Sequence, residues 1–288
     1  MVAMQNTLQQ LVDLLDLERI EINLFRGDSR DIGSRSVFGG QVLGQALVAA
    51  GRTVEDRAVH SLHGYFLRPG DVNAPIVFDV DRIRDGKSFT TRRVVAIQHG
   101  RAIFNMAASF QVEEPGASHQ AEMPAATPPE ELENEMALRE KIAHKVPEPL
   151  REKFLIKRPI EFRPVNPQNP FAPEKRPPRQ QNWFRAVAPL PDDPAVHRAV
   201  LAYASDFGLM ATSMLPHAFS FVDPSFQAAS LDHAMWFHRP FRADEWMLYD
   251  MHSPNSGNAR GLSFGSIYSR YGVLIASVAQ EGLIRKRE

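Results

Sequence analysis

The sequence predicts an α+β protein built from two similar units in one chain, each a long buried helix followed by a curved antiparallel sheet. Three observations carry that expectation. Thirteen of the 22 prolines fall between positions 113 and 180. Neither a continuous helix nor a central strand tolerates that density, because each proline lacks an amide donor and restricts its predecessor. The stretches on either side, 1–112 and 181–288, repeat one order of segments. The long helical pattern in each is apolar almost all round, which marks a buried helix.

Taken in order, Leu8, Leu11, Val12, Leu14, Leu15 and Leu17 fall at helical spacing, with Asp13, Asp16 and Glu18 between them. This is an amphipathic helix, lacking the basic start and uninterrupted apolar core of a secretory signal. A second helix is expected near 39–53, where Val42, Leu43, Ala46, Leu47, Val48 and Ala50 leave almost no polar face. After it come the segment His60–Pro69, a strand at about 75–84, and a hairpin pair at 88–98 and 101–112 with turns at Asp85-Gly86 and His99-Gly100. The segment 113–180 reads as a linker with one short helix near 130–145. In the second half a helix is expected over 194–214, capped by Asp192 or Asp193 with Pro194 in its first turn. The segment Leu231–Pro240 follows, then strands near 245–252, 258–269 and 273–284. His63…Arg68-Pro69 and His233…Arg239-Pro240 share a pattern of histidine, aromatics and Arg-Pro, with one residue inserted in the second. Each half ends in an apolar strand carrying a glutamine, Gln111 and Gln280. Two such units side by side can join their sheets edge to edge and so remove exposed edges.

Composition excludes several classes of function. At 43% hydrophobic and 23% charged residues, the chain is that of a globular protein. Lys and Arg number 33 against 34 Asp and Glu, a net charge of -1, so no whole-chain field attracts nucleic acid or anionic lipid. The absence of cysteine rules out disulfides, a thiol nucleophile and Cys-ligated metals. No apolar run reaches the roughly 18–20 residues of a membrane helix. A cytoplasmic protein with no nucleic-acid or membrane partner is expected. His60 with His63 and His233 with His238 sit at strand spacings that point to opposite faces, so no metal site is expected. Gly261-Leu-Ser-Phe-Gly265 matches a nucleophile elbow, but no histidine follows Ser263 and its surroundings alternate as a strand. Asp85-Gly-Lys-Ser88 lacks the first glycine of a phosphate loop, Asp81 standing there.

Asp206 is the only formal charge between Ala199 and Leu215. Ala202, Tyr203, Leu209 and Met210 flank it at helical spacing, so its carboxylate is expected in an apolar wall. Leaving a buried polar group unsatisfied costs about 2–7 kcal/mol, and a charge costs more. The residues alone leave two readings open: a packing aspartate bonded to backbone or to a nearby Arg or His, or a group with a chemical task. Ser230, just before Leu231-Asp-His, and Gln280, in a strand otherwise built of Val273, Leu274, Ile275, Ala276, Val278 and Ala279, are open to the same two readings.

Val37-Phe-Gly-Gly-Gln-Val-Leu-Gly-Gln-Ala46, His60-Ser-Leu-His-Gly-Tyr-Phe-Leu-Arg-Pro-Gly70, Tyr203-Ala-Ser-Asp-Phe207, Leu231–Pro240 and Val278-Ala-Gln-Glu-Gly282 together resemble acyl-CoA thioesterase II. The resemblance runs from about Leu8 to Arg285. It implies a double hotdog fold, two hotdog units fused in one polypeptide, which agrees with the repeat read from the residues. It also implies hydrolysis of fatty acyl-CoA to free acid and coenzyme A, without cofactor, by a chain that associates into dimers or tetramers. It places a catalytic Asp at Asp206, with Gln280 beside it and a threonine where this chain has Ser230. Serine keeps the hydroxyl but loses the methyl that restricts threonine's rotamers. The mechanism expected is water attack, with Asp206 taking the proton and Ser230 and Gln280 holding the water. Amides of Gly39-Gly40-Gln41 at a helix start would meet the oxyanion, and His60 would line the cleft. The alternatives are a hotdog hydratase or dehydratase, pairing His60 or His63 with Asp206, and a non-catalytic acyl-CoA binding protein.

Overall fold

In a computed structural model, residues 2–34 and 36–287 are described. The N-terminal half begins with α1 (Val2–Leu15) and the short hairpin β1 (Glu18–Glu21) and β2 (Leu24–Gly27). Helix α2 (Gly39–Gly51) leads into β3 (Ala58–Phe66), β4 (Ile76–Asp85), β5 (Phe89–Gln98) and β6 (Arg101–Gln111). Helices α3 (Glu135–Ile142) and α4 (Glu148–Phe154) precede β7 (Ile160–Pro164) and β8 (Arg179–Ala186). The second half continues with α5 (Pro194–Ser205), α6 (Leu209–Met214), β9 (Phe226–Ser230), β10 (Asp232–Phe237), β11 (Met247–Gly257), β12 (Arg260–Ser269) and β13 (Leu274–Lys286).

Twelve strands form one continuous sheet in the order β1-β2-β4-β5-β6-β3-β10-β13-β12-β11-β8-β7, and β9 adds to β13. The halves meet where β3 pairs antiparallel with β10, Leu62 opposite Met235 and His63 opposite Ala234. The expected edge-to-edge join is therefore formed, and neither half keeps that edge open. On the inner face, α2 and α5 pack against each other and against the sheet, so one apolar core runs through both halves. Leu43, Ala46, Ala199 and Leu201 from the helices share it with Leu62, Phe104, Met235 and Ile275 from the strands.

Alternation explains which strand residues reach that core. In β6, Met106, Ala108 and Phe110 are buried while Ala107 is exposed, as a half-buried antiparallel strand requires. The His99-Gly100 turn forms as expected, a two-residue loop with φ of 48° and 71°. A second such loop at Asn258-Ala259, φ 50° and 57°, joins β11 to β12.

Four expectations are corrected. The helix over 194–214 is two helices: α5 ends at Ser205, and Gly208, at φ 84°, turns the chain into α6. Asp206 therefore caps α5 rather than lying within a continuous helix. Ser230 ends β9 instead of starting the strand that carries Trp236. The segment 113–180 contains β7 as well as short helices. Pro159 and Pro164 are tolerated at its ends because β7 is an edge strand, with Ile160 and Phe162 buried.

The fourth correction concerns the repeat. Leu62 and Arg92 both lie opposite Ala108, while Ser263 lies opposite Gln280. The register that pairs Ala234 with Ala279 brings His233 beside Gln280. The row Leu62–Ala108–Arg92 thus corresponds to His233–Gln280–Ser263. Gln111 is not the counterpart of Gln280, and His63 matches Ala234 rather than His233. Pairing register decides this, and spacing along the chain does not reveal it.

Candidate active site

The site forms where the C-terminal end of α5 meets the N-terminal end of α2. Helix α2 starts behind Phe38, which offers its first amides no side-chain cap. Asp206, from the other half of the chain, takes that role: its Oδ2 accepts a hydrogen bond from the Gly40 N–H at 2.8 Å. A carboxylate there also meets the positive end of the helix dipole. The approach depends on two missing side chains. A Cβ on Gly39 would lie 2.7 Å from Asp206 Oδ2, and one on Gly40 would lie 2.3 Å from the Tyr203 carbonyl oxygen. Gly39 and Gly40 are thus needed for closeness of backbone and carboxylate.

The other carboxylate oxygen faces β13 and β9. Oδ1 accepts from Gln280 Nε2 at 2.6 Å and, at a long 3.5 Å, from the Ser230 hydroxyl. Gln280 Nε2 is also 3.2 Å from Ser230 Oγ. Ser230 pairs with Gly282, two residues along β13 from Gln280 and on the same face. Gln280 is buried, whereas Asp206, Ser230, Gly39, Phe38 and Phe66 are partly exposed, so the cluster opens to solvent on one side. The mouth is aromatic: Phe38 packs edge-on to Tyr203 with centroids 5.2 Å apart, and 4.4 Å from Phe207.

Behind the cluster lies a buried polar chain. Gln280 Nε2 is 3.2 Å from His233 Nδ1, and His233 Nε2 is 2.9 Å from Ser205 Oγ. Tyr249 donates its hydroxyl to the Ser205 carbonyl at 2.9 Å. Burial pushes the His233 pKa down to about 4, partly opposed by the nearby Asp206 charge, so the ring is neutral at pH 7. Burial likewise raises the Tyr249 pKa.

The structure brings Asp206, Ser230, Gln280, Gly39 and Gly40 together, and leaves two expected residues elsewhere. The Gln41 side chain is buried, its Nε2 donating to the Asp28 carbonyl at 3.1 Å and its Oε1 accepting from the Arg30 N–H at 3.3 Å. Two helical steps turn it about 200° away from Gly39, and its own N–H is bound to the Phe38 carbonyl at 3.1 Å. His60 sits on the outer face of the sheet, its Nε2 2.8 Å from Ser109 Oγ and its ring against Phe89. An irregularity between Val59 and Ser61 in the β3–β6 pairing accompanies that placement.

His233 and Ser205 were missed. A signal for His233 existed: in an alternating strand it shares a face with Met235 and Phe237, hence points inward. Ser263 of the false elbow is buried in mid-strand without a hydrogen-bond partner for its hydroxyl among the described residues, with no strand-to-helix turn around it. Among the described residues no cluster of three or more His, Asp or Glu could hold a metal, and no helix is long and apolar enough to cross a membrane.

Two family models match the chain: acyl-CoA thioesterase over residues 149–283, and acyl-CoA thioesterase N-terminal domain over residues 25–111. Acyl-CoA thioesterase 2 of Haemophilus influenzae is 45% identical over 286 residues, covering 99% of this chain and 100% of that protein. The chain belongs to the acyl-CoA thioesterase family. Among solved structures, an acyl-CoA thioesterase II, TesB2, from Mycobacterium marinum superposes with a TM-score of 0.78 at 46% identity, covering 96% of this chain and 99% of that one. A hot dog fold protein from Alicyclobacillus acidocaldarius, 18% identical, matches in fold with a TM-score of 0.77 over 97% of this chain and 99% of that one. The α+β double hotdog architecture of this family member is thereby established alongside its membership.

Proposed function

We propose that this acyl-CoA thioester hydrolase cleaves fatty acyl-CoA to free fatty acid and coenzyme A by direct attack of water, with Asp206 as general base and no covalent acyl-enzyme. The observation that supports this reading is the convergence of one carboxylate, one hydroxyl and one amide from three separate elements at a mouth open to solvent. Water bound between Ser230 and Asp206 has an acceptor for its proton and donors that orient its lone pair. The Ser230–Asp206 contact, at the outer limit of a hydrogen bond, leaves both groups available to it.

Proton transfer to Asp206 as water adds to the thioester carbonyl yields a tetrahedral oxyanion. The positive end of α2 stabilises negative charge at this position. Gly40 already gives its amide to Asp206, so the Gly39 amide, first in the helix, is the one assigned to the oxyanion. The intermediate then expels a thiolate whose conjugate acid has a pKa of about 8.5, so the leaving group departs with little assistance, and Asp206 gives its proton back to that thiolate or to solvent. The aromatic mouth of Phe38, Phe66 and Phe207 suits an acyl chain. The hydratase alternative requires His60 or His63 beside Asp206. His60 is held by Ser109, and His63 packs edge-on against Trp236 with centroids 5.0 Å apart.

The test is a thiol-release assay with acyl-CoAs of several chain lengths on wild type and Asp206→Asn. The variant should remain folded and lose about 10²–10⁴-fold in kcat. Near-normal turnover would remove Asp206 from the mechanism. Acyl-CoA binding without release of free thiol by the wild type would establish a binding protein instead.

A further inference from the structure

We infer that His233 is a positioning residue for this reaction, holding the Gln280 side-chain amide so that its nitrogen, and not its carbonyl, faces Asp206, one N–H going to His233 and the other to the carboxylate. The inference rests on the mechanism proposed above. It follows from donor and acceptor chemistry along a chain of four buried contacts.

Gln280 Nε2 has two hydrogens and no lone pair to accept with. Its 3.2 Å contact with His233 Nδ1 therefore needs an unprotonated Nδ1. In a neutral ring the proton is then on Nε2, which donates to Ser205 Oγ at 2.9 Å. Ser205 can accept because its own hydroxyl hydrogen goes to the Ala202 carbonyl, also at 2.9 Å. The Tyr249 hydroxyl, bonded to the Ser205 carbonyl, ties this turn to β11. Each link has one consistent direction, and the chain ends on a glutamine N–H.

The amide orientation is not free. Gln280 Oε1 is buried with no hydrogen-bond partner among the described residues. Turned the other way, that oxygen could accept from the Ser230 hydroxyl, but it would then stand against Asp206 Oδ1 and His233 Nδ1, two acceptors. Asp206 ceases to oppose the turn whenever it carries the proton taken from water, because a protonated carboxyl can donate to a carbonyl oxygen. His233 is the acceptor that persists through that step, and so keeps Gln280 in position for the next water.

The first half of the chain supplies a fold control. Leu62 holds the place corresponding to His233, buried in the same row of the sheet. A leucine therefore suits a hotdog sheet at this position, and the histidine serves the chemistry of its own half.

The experiment compares steady-state thiol release by His233→Leu, His233→Asn and Asp206→Asn, with thermal melts on each. His233→Leu should lower kcat about 10- to 100-fold with KM changed less than about threefold, since the acyl-CoA contacts remain. His233→Asn, whose amide oxygen can stand near the former Nδ1, should recover most of the loss. A kcat for His233→Leu within about threefold of wild type, a loss confined to KM, or no recovery in His233→Asn would overturn the inference. Should His233→Leu fail to fold, Ser205→Ala decides: without an acceptor for Nε2–H the ring can take its other tautomer, and kcat should fall at least threefold at unchanged KM. Unchanged kcat there overturns the proposal. Turnover retained in Asp206→Asn would instead overturn the mechanism itself, whereas a dead Asp206→Asn beside a normal His233→Leu would remove only the role of His233.

Discussion

The two halves of this protein carry corresponding rows of buried strand residues, and the two rows differ in chemistry. In the second half the row His233–Gln280–Ser263 lines the end of α5 with polar groups, and Asp206 faces an opening. In the first half the row is Leu62–Ala108–Arg92, and Arg92 fills the space itself. Its guanidinium donates to Thr53 Oγ1 at 2.8 Å, the Thr53 carbonyl at 3.0 Å, the Arg84 carbonyl at 3.1 Å and Asp85 at 2.6 Å. Helix α5 is capped by its own Asp193, which accepts from the Ala195 N–H, so no carboxylate is drawn across from the first half. Helix α2 lacks such a cap and recruits Asp206. Pairing of the sheet and packing of the helices do not require a polar row. That row in the second half costs desolvation and, among the described residues, leaves Gln280 Oε1 and Ser263 Oγ without a partner; under the mechanism proposed above, that cost serves the reaction.

This contrast can be broken experimentally. Giving the active row the first half's residue, in Gln280→Ala, should cut kcat by about 10²–10³-fold in the thiol-release assay. The melt should change little, because Ala108 shows alanine to be compatible with that register position. Near-wild-type kcat would mean the glutamine is a packing residue.

A smaller effect separates the rows by pH. The folded pKa of His233 is about 4, against about 6.5 when unfolded. The folded state therefore binds fewer protons between these values. Stability is full above pH 6.5, falls as pH drops toward 4, and levels off below, a total of about 3 kcal/mol. Burial also lowers the pKa values of His60, His197 and His238, but these remain in both proteins when wild type is compared with His233→Leu. Between pH 7 and 4.5 the urea midpoint of wild type should fall further than that of His233→Leu. Parallel slopes would show that His233 is not desolvated.

The least effect is expected from replacing Arg92 in the first half. Arg92→Leu removes buried donors while Asp85 stays largely exposed to water, so a loss of about 2 kcal/mol in urea unfolding is expected. Well below the melting temperature, kcat should be unchanged. A parallel loss of activity would show that the two rows are coupled.

Individual residues show how far the sequence could be read. The buried character of α2 and α5, the turn at His99-Gly100 and the joining of two sheets were all legible, because periodicity and turn chemistry are local. Asp206 stood out as a lone charge, although its helix was expected to run on through it. Ser230 and Gln280 took their catalytic roles from the family resemblance, and their convergence on one oxygen depends on β9 pairing with β13. His60 and Gln41 were misplaced because strand irregularity and helical phase decide which way a side chain faces.

By itself the sequence determined a duplicated α+β chain with no cysteine chemistry, and a carboxylate set among apolar turns. Those properties follow from composition and from apolar spacing, which act over a few residues. Only the tertiary structure decided that Asp206 would cap the helix of the opposite half, and that Arg92 would occupy one row while His233 stands in the other. The contacts of Asp206 with Gly40, Gln280 and Ser230 join residues 166, 74 and 24 positions apart. They are set by strand register and helix packing, where a one-residue shift turns every side chain to the other face.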